Sequence, residues 1–170
     1  LGYQATIDAL EEHSIDHPLI YISCEIDESL IKWTKSQGQR VYCELKNSNY
    51  PRLVDLKRKT QDSMVYYLSE KNDHRLFIIQ GDITKFLRRF FKTFNYPIHA
   101  IYQDAFSPKK NPLLWTNDWF RNLDEISHCD CVLSTYSSSL SVKEAMKSAG
   151  WTLRKGPGFG LKRSSSRACK

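Results

Sequence analysis

Three acidic side chains directly follow short apolar runs that have the character of buried strands. They are Glu25, Asp82 and Asp104. In an open α/β sheet the ligand lies across the carboxyl ends of the strands, so acids at these ends are placed to contact it. Glu25 stands about 20 residues after Gly2, a spacing at which a carboxylate accepts hydrogen bonds from ribose hydroxyls. Gly81 lets the backbone before Asp82 approach a planar ring, and Asp82 can accept a proton from an exocyclic amine.

Helix capping is the alternative role for two of these acids. Glu25 and Asp27 precede an amphipathic stretch, and Asp82 or Thr84 can cap the helix that follows. A carboxylate before a helix accepts hydrogen bonds from its first backbone N–H groups. The sequence leaves both roles open.

The third acid, Asp104, opens a loop with the sequence DAFSPKKNPLLW. Two prolines restrict this loop and aromatic residues flank it, so the pattern predicts a rigid apolar wall beside a carboxylate. Phe106 and Pro108 supply the wall next to Asp104. Pro112 stands where a proline is accepted in the first turn of a new helix.

Short apolar runs alternate with longer amphipathic stretches along the chain, which indicates βαβ units around a parallel sheet. The predicted fold class is α/β, a Rossmann-like doubly wound sheet. Two β-rich runs at 64–68 and 75–80 predict an inserted hairpin, and the region from 39 to 62 has no clear pattern. Strands are predicted at residues 19–25, 98–103, 131–135 and 151–154, and helices at 2–12, 28–37, 82–94 and 141–149.

Length and ends suggest one domain that lacks its first elements. The 170 residues suffice for one hydrophobic core, so we expect a single domain over 1–170. The sequence begins directly in an amphipathic helix, which predicts that a preceding strand and glycine loop are missing. A final strand after residue 164 is expected to be missing or incomplete. No apolar run approaches the roughly 20 residues of a membrane span and no secretion signal is recognisable, so a cytoplasmic protein is expected.

Cysteine content and net charge indicate the redox state of the thiols and the kind of binding partner. Five cysteines without a CxxC pair favour reduced thiols over disulfides, and neither they nor the five histidines have metal-ligand spacing, so no metal site is predicted. The net charge of +6 favours a polyanionic partner, with solvated surfaces as the alternative. The excess lies in residues 57–59, at Lys109 and Lys110, and in the stretch from 154 to 170.

The loop sequence DAFSPKKNPLLWTNDWF at 104–120 resembles the signature loop of a known family. That family is the methyltransferase domain of the bifunctional tRNA 5-methylaminomethyl-2-thiouridine biosynthesis proteins, together with stand-alone relatives that lack the oxidase half. STYSSS at 134–139 and RKGPGFGLKR at 154–163 are similar to its closing region. Residues 1–4 resemble the end of its glycine-rich loop.

The resemblance implies a cofactor, a reaction and roles for individual residues. S-adenosyl-L-methionine would be the methyl donor, and the acceptor would be the primary amine of 5-aminomethyl-(2-thio)uridine at the tRNA wobble position. Asp104 would position the amine and accept its proton, with Phe106 beside it. A separate oxidase would act upstream, without implied contact. The cofactor would contact Gly2, Tyr3, Glu25, Asp82 and Asp104, and tRNA would contact Pro108, Lys109, Lys110, Trp115, Phe159, Lys162 and Arg163.

Other interpretations stay open at this point. Tyr102 or Trp115 would stack on the uridine, although a place in the core is commoner for such residues. In one alternative the protein is a methyltransferase with a different methyl acceptor: a small amine, a protein or another RNA site. Fold and cofactor do not fix the substrate. A non-catalytic RNA-binding module is a second alternative, and a nicotinamide enzyme, which also uses a ribose-binding acid, is a third.

Overall fold

This computed structural model describes residues 2–33, 56–59, 64–71, 74–94, 96–156 and 165–170. The chain divides into two compact units, Leu1–Phe86 and Leu87–Lys170. The described strands form two four-stranded sheets, each mixing parallel and antiparallel pairs. The predicted α/β class is confirmed, although the strands pair as two sheets where one was expected. The expectation of a single domain stays a prediction.

The first unit alternates helices with a sheet of order β1-β4-β3-β2. Its elements are α1 (Gly2–Glu12), β1 (Ile20–Glu25), α2 (Glu28–Trp33), β2 (Leu56–Lys59), β3 (Met64–Lys71) and β4 (His74–Gln80), and α3 (Ile83–Phe94) begins in it. Strand β1 runs parallel to β4, and β3 pairs antiparallel with β4, so the predicted hairpin is confirmed. The predicted end of α2 near residue 37 lies outside the described residues.

Strand β2 lies where the sequence showed no pattern. It carries three consecutive basic residues and pairs with β3 at the outer edge of the sheet. Lysines are common on edge strands because they discourage pairing with another chain. The strand was missed because it lacks the apolar alternation that marks a half-buried strand.

Residues of α1, α2 and β4 form a hydrophobic core cluster in the first unit. Its buried residues are Tyr3, Ile7, Ile31 and Leu76. The rings of Tyr3 and Tyr21 meet edge to face with centroids 5.7 Å apart. His74 is buried, and its Nδ1 accepts a hydrogen bond of 3.1 Å from the backbone N–H of Leu19, so this histidine is structural.

The second unit has a sheet of order β5-β6-β8-β7. Its elements are β5 (Ile98–Gln103), a 3-10 helix (Pro112–Trp115), α4 (Asn117–Ile126), β6 (Ser127–Thr135), α5 (Leu140–Ser148), β7 (Thr152–Gly156) and β8 (Ser165–Cys169). Strand β5 runs parallel to β6, and β8 pairs antiparallel with both β6 and β7. The sequence analysis expected a missing or incomplete strand at the position of β8, whereas a five-residue strand lies there.

Large side chains of α4, β6 and α5 fill the core of the second unit, among them Phe120, Leu133 and Met146, which are fully buried. Helix α5 begins with Ser139 as N-cap, whose hydroxyl accepts from the N–H of Val142. Gly150 ends it with a φ of 99°, which favours glycine. Pro112 opens a 3-10 turn, and Thr116 caps the separate α4. Among the described helices, none is long and apolar enough to cross a membrane.

Candidate functional site

The carboxyl ends of β1 and β4 lie side by side in the first unit. Glu25 stands opposite Gln80 in the parallel register, and the N–H of Gly81 donates to the carbonyl oxygen of Glu25 at 2.9 Å. Gly81 has a φ of 145°, which residues with a side chain rarely adopt. The chain therefore turns tightly after β4, and Glu25 and Asp82 both follow strand ends at this edge of the sheet.

Glu25 does not cap the helix after it. Its Oε1 accepts from the backbone N–H of Asp27 at 2.8 Å. Asp27 is the cap of α2, because its Oδ1 accepts from the N–H and the hydroxyl of Ser29 at 2.8 and 2.6 Å. These hydrogen bonds lower the pKa of Asp27. Among the described residues, this hydrogen bond engages Oε1 of the half-buried Glu25 carboxylate and leaves the second carboxylate oxygen, Oε2, for another donor.

Asp82 does cap the helix after it. Its Oδ1 accepts from the N–H of Thr84 at 3.1 Å and from the Thr84 hydroxyl at 2.7 Å. Its other oxygen, Oδ2, lies 3.7 Å from Nζ of the exposed Lys85. The capping alternative is therefore correct for Asp82, and it engages only one of the two carboxylate oxygens.

Gly2 and Tyr3 have packing roles in the structure. Tyr3 is 4% exposed in the core of the first unit. A Cβ on Gly2 would lie 2.5 Å from the hydroxyl oxygen of Tyr21, so glycine lets α1 approach β1 closely. Their contact with the cofactor, expected from the sequence, stays a prediction.

The Asp104 loop of the second unit is held through its backbone carbonyls. Asp104 is exposed at the end of β5. The carbonyl oxygen of Ala105 accepts from the hydroxyl of Tyr136, and that of Phe106 accepts from Nε1 of Trp115 at 2.8 Å. Two consecutive residues after the carboxylate are thereby fixed to ordered side chains.

Gln103 joins the start of this loop to its far end. The side chain is 5% exposed, and its Nε2 donates to the carbonyl oxygen of Leu114 at 2.8 Å. Its Oε1 accepts from Nε1 of Trp119 at 3.2 Å. The prolines alone suggested a rigid loop, and these hydrogen bonds add a restraint that the sequence does not show. Gln103 and Tyr136 were missed by the sequence analysis; the one available signal was a glutamine that ends an apolar run.

The charge of Asp104 acts on the hydroxyl of Tyr136. The pKa of Tyr136 is raised, first by burial and then by the negative charge of Asp104. The hydroxyl therefore stays protonated and keeps its role as a donor over the whole neutral range. The Tyr136 ring also meets Trp115 edge to face, with centroids 6.1 Å apart.

The exposed surface of the loop is both aromatic and basic. Phe106 is 70% exposed, and Nζ of Lys110 lies 5.3 Å from the centroid of its ring, within cation–π range. Lys109 is exposed and Pro108 is half-buried. These four residues form what we call the loop face, residues 106 and 108–110.

The two aromatic residues considered for stacking differ in exposure. Trp115 is 5% exposed and its Nε1 donates to the loop backbone, so it has a place in the core, and its contact with tRNA stays a prediction. Tyr102, the other candidate for stacking, is 60% exposed. Phe159, Lys162 and Arg163, which the sequence analysis assigned to tRNA, lie outside the described residues.

Comparison with known proteins identifies the family. A family described as S-adenosyl-L-methionine-dependent methyltransferase matches residues 50–170, well over half of the chain. This chain belongs to that family. The family match includes Asp82, Asp104 and the loop face, whereas Glu25 precedes it. S-adenosyl-L-methionine is accordingly the cofactor of the family to which the chain belongs.

Individual relatives agree with the family over part of their length. A protein of Ralstonia nicotianae (strain ATCC BAA-1114 / GMI1000) is 44% identical over 64 residues, which are 38% of this chain and 10% of that protein. One of Paraburkholderia phymatum (strain DSM 17167 / CIP 108236 / LMG 21445 / STM815) is 43% identical over 65 residues, with the same coverage of 38% and 10%. Both are named tRNA 5-methylaminomethyl-2-thiouridine biosynthesis bifunctional protein MnmC. The matched segment is therefore about a tenth of each relative.

A solved structure supports the fold over most of the chain. The structure described as MNMC2 from Aquifex aeolicus has a TM-score of 0.53 and 22% sequence identity. The similarity covers 92% of this chain and 55% of that chain. At this identity the likeness concerns the fold, and it agrees with the Rossmann-like α/β class predicted from the sequence.

Proposed function

We propose that this chain is part of an enzyme that methylates the primary amine of 5-aminomethyl-(2-thio)uridine at the tRNA wobble position. The product would be 5-methylaminomethyl-(2-thio)uridine. The observation that carries the proposal is the Asp104 loop, where an exposed carboxylate follows a parallel strand and precedes a fixed aromatic and basic face. The names of the partial relatives support the same substrate.

The acceptor groups of the first unit fit a nucleoside. When bound, the cofactor supplies a methyl group that is already activated as a sulfonium. The Glu25 oxygen that does not bond to Asp27 can accept a hydrogen bond from a ribose hydroxyl, and Oδ2 of Asp82 can accept one from an exocyclic amine. The tight turn at Gly81 keeps side-chain bulk away from this edge. We assign these residues to binding and orientation.

Asp104 is the proposed catalytic residue. An alkyl amine has a pKa near 10 and is mostly protonated at neutral pH, so the ammonium must lose a proton before nitrogen can form a new C–N bond. Asp104 accepts this proton and passes it to water. The ring of Phe106, two residues further along the loop, offers an exposed face against which the substrate can pack. Fixing the backbone at Ala105 and Phe106 holds the carboxylate in one orientation, which is catalysis by positioning.

The loop face is the proposed contact surface for tRNA. Lys109 and Lys110 are exposed and can neutralise phosphates, while Phe106 offers an aromatic face to an extruded base. Lys162 and Arg163 are assigned to phosphates from the sequence alone. Trp115 is not included in this surface, because it is buried and its Nε1 donates to the loop backbone.

The proposal is tested by transfer of labelled methyl from S-adenosyl-L-methionine to tRNA that carries aminomethyl-uridine, with mass analysis of the nucleosides. The intact protein is compared with Asp104→Asn and with Asp118→Asn, an exposed acid on α4 that serves as matched control. We expect methylaminomethyl-uridine from the intact protein and the control. A loss of about 10²-fold or more is expected for Asp104→Asn.

Each other outcome contradicts a defined part of the proposal. If Asp104→Asn kept both its rate and its pH profile, the catalytic assignment would be wrong. If the cofactor bound but label appeared only on a protein, a small amine or another RNA site, the substrate would be wrong. If the cofactor did not bind to the intact protein, a non-catalytic RNA-binding role would replace the enzymatic one.

A further inference from the structure

We propose that His128, Cys129 and Asp130 at the start of β6 bind a zinc ion. Each of these residues offers one ligand atom, and the three atoms lie within 4.8 Å of one another. Imidazole, thiolate and carboxylate are the ligand types that Zn²⁺ takes in proteins. This site is independent of the proposed methyl transfer and was not predicted from the sequence.

A strand irregularity explains how three consecutive side chains converge. In a regular strand successive side chains point to opposite faces of the sheet. Here Ile98 pairs with Ser127 and Ala100 pairs with Val132, so two steps along β5 correspond to five along β6. The extra residues form a bulge, which re-aims side chains at a strand start. The sequence shows the three residue types but does not show the bulge.

The distances between the ligand atoms are those of a tetrahedral site. His128 Nδ1 lies 3.6 Å from Cys129 Sγ and 3.6 Å from Asp130 Oδ2, and Sγ lies 3.8 Å from Oδ2. With the usual Zn–N, Zn–O and Zn–S bond lengths, a tetrahedral ion needs its ligand atoms about 3.3 to 3.6 Å apart. Each observed separation is within about 0.3 Å of its ideal value, so binding requires only small side-chain movements.

The Nδ1 atom of His128 already acts as an acceptor in the structure. The N–H of Asp130 donates to Nδ1 of His128 at 3.2 Å, so this nitrogen carries a lone pair. A zinc ion would take that lone pair in place of the backbone donor. The ring of His99 on β5 lies against that of His128, with centroids 4.7 Å apart and the ring planes tilted by 34°. Water would complete the four ligands.

The position in the fold separates the metal from the proposed methyl transfer. His99 and His128 lie near the amino ends of two parallel strands, whereas Asp104 follows the carboxyl end of β5. Five residues of extended chain separate His99 from Asp104 along the strand, about 16 Å. A zinc ion here would join three side chains at the start of β6, and it would not reach the amine.

The test uses Co²⁺ as a spectroscopic probe of the full chain, followed by displacement with Zn²⁺. We compare the unmodified chain with Cys129→Ser and with Cys169→Ser, a matched control for a free thiol outside the cluster. The unmodified chain and the control should give the visible bands of tetrahedral Co²⁺ and a thiolate charge-transfer band, both removed by Zn²⁺. Cys129→Ser should lose the charge-transfer band.

A second readout separates binding from misfolding. Because a metal that binds only the folded state stabilises it, Zn²⁺ should raise the midpoint of thermal unfolding for the unmodified chain and for Cys169→Ser, but much less for Cys129→Ser. His128→Gln should weaken Zn²⁺ binding by more than the roughly 10–100-fold that loss of an outer-shell partner costs. Absence of the thiolate band, or its persistence in Cys129→Ser, would overturn the site.

Discussion

The hydroxyl of Tyr136 donates a hydrogen bond to the carbonyl oxygen of Ala105, the residue after Asp104. Tyr136 and Ala105 lie close together because Gln103 and Thr135 are paired at the ends of β5 and β6. Both strands therefore end at the same level of the sheet. The proposed catalytic carboxylate is therefore fixed from a neighbouring strand as well as from its own loop.

Replacing Tyr136 by phenylalanine should test this restraint. Tyr136→Phe keeps the ring against Trp115 and removes the donor, so the free energy of unfolding should fall by about 1 kcal/mol. The rate of methyl transfer should fall while the Kd for tRNA stays unchanged, because the change affects orientation. Urea unfolding and single-turnover kinetics measure the two effects. Unchanged stability together with an unchanged rate would contradict the restraint.

The same tyrosine predicts a pH dependence of stability. Its pKa is raised in the folded chain, so its contribution is complete at neutral pH and is lost as pH rises above about 10 through the folded pKa. The unmodified chain should therefore lose more stability than Tyr136→Phe between neutral pH and strongly alkaline pH. Unfolding midpoints of both proteins across that range measure the difference.

A double-mutant cycle should report the close approach of α1 and β1. Gly2→Ala places a Cβ 2.5 Å from the hydroxyl oxygen of Tyr21, and we expect it to cost about 1 kcal/mol or more. Tyr21→Phe removes that oxygen and leaves the nearest ring carbon at 3.5 Å, an ordinary contact. In the Tyr21→Phe background Gly2→Ala should thus be neutral or slightly stabilising, since alanine favours helix. Equal costs in both backgrounds would exclude the steric explanation.

The cysteines should differ widely in reactivity. Burial and the adjacent charge of Glu25 raise the pKa of Cys24 to about 12, and burial also raises that of Cys131, whereas Cys129 is exposed. At pH 8 iodoacetamide should modify Cys129 faster than Cys24 by roughly tenfold or more, because the thiolate is the reactive form. Mass mapping of the labelled peptides gives the order. Modification of Cys24 before Cys129 would contradict the assigned burial.

Basic residues of the loop face should set the salt dependence of tRNA binding. Lys109→Ala and Lys110→Ala should each reduce the slope of log Kd against log salt by about one, as expected when one phosphate contact is lost. Lys147→Ala, which removes an exposed lysine in the last turn of α5, is the control and should change the slope less. Equal slopes for all three variants would favour a solvated surface over a tRNA contact.

Sequence periodicity predicted those elements whose own residues carry the pattern. Helix α1, strand β5 and helix α5 begin and end within one residue of their predicted bounds. Strands β2 and β8 were not predicted, because their residues, LKRK and SSRAC, become extended by pairing with a neighbouring strand. Pairing between distant segments is a tertiary effect that local propensity does not contain.

The candidate site, like the fold, could be predicted from the sequence only in part. The acids at strand ends follow from topology, so Glu25, Asp82 and Asp104 lie at the predicted strand ends. Which acid caps a helix depends on local geometry, and the structure gives that role to Asp27 and Asp82. The burial of Trp115 depends on packing against residues that are distant along the chain. No single-sequence pattern reports such contacts.

Three of the four hydrogen bonds that hold the Asp104 loop join residues that are close in sequence. Phe106 and Trp115 are 9 residues apart, Gln103 and Leu114 are 11, and Gln103 and Trp119 are 16, whereas Tyr136 is 31 residues from Ala105. Closing such short loops costs little chain entropy, and low contact order favours rapid folding. We therefore expect residues 103–119 to acquire their arrangement early in folding, with the Tyr136 bond added once β5 and β6 have paired.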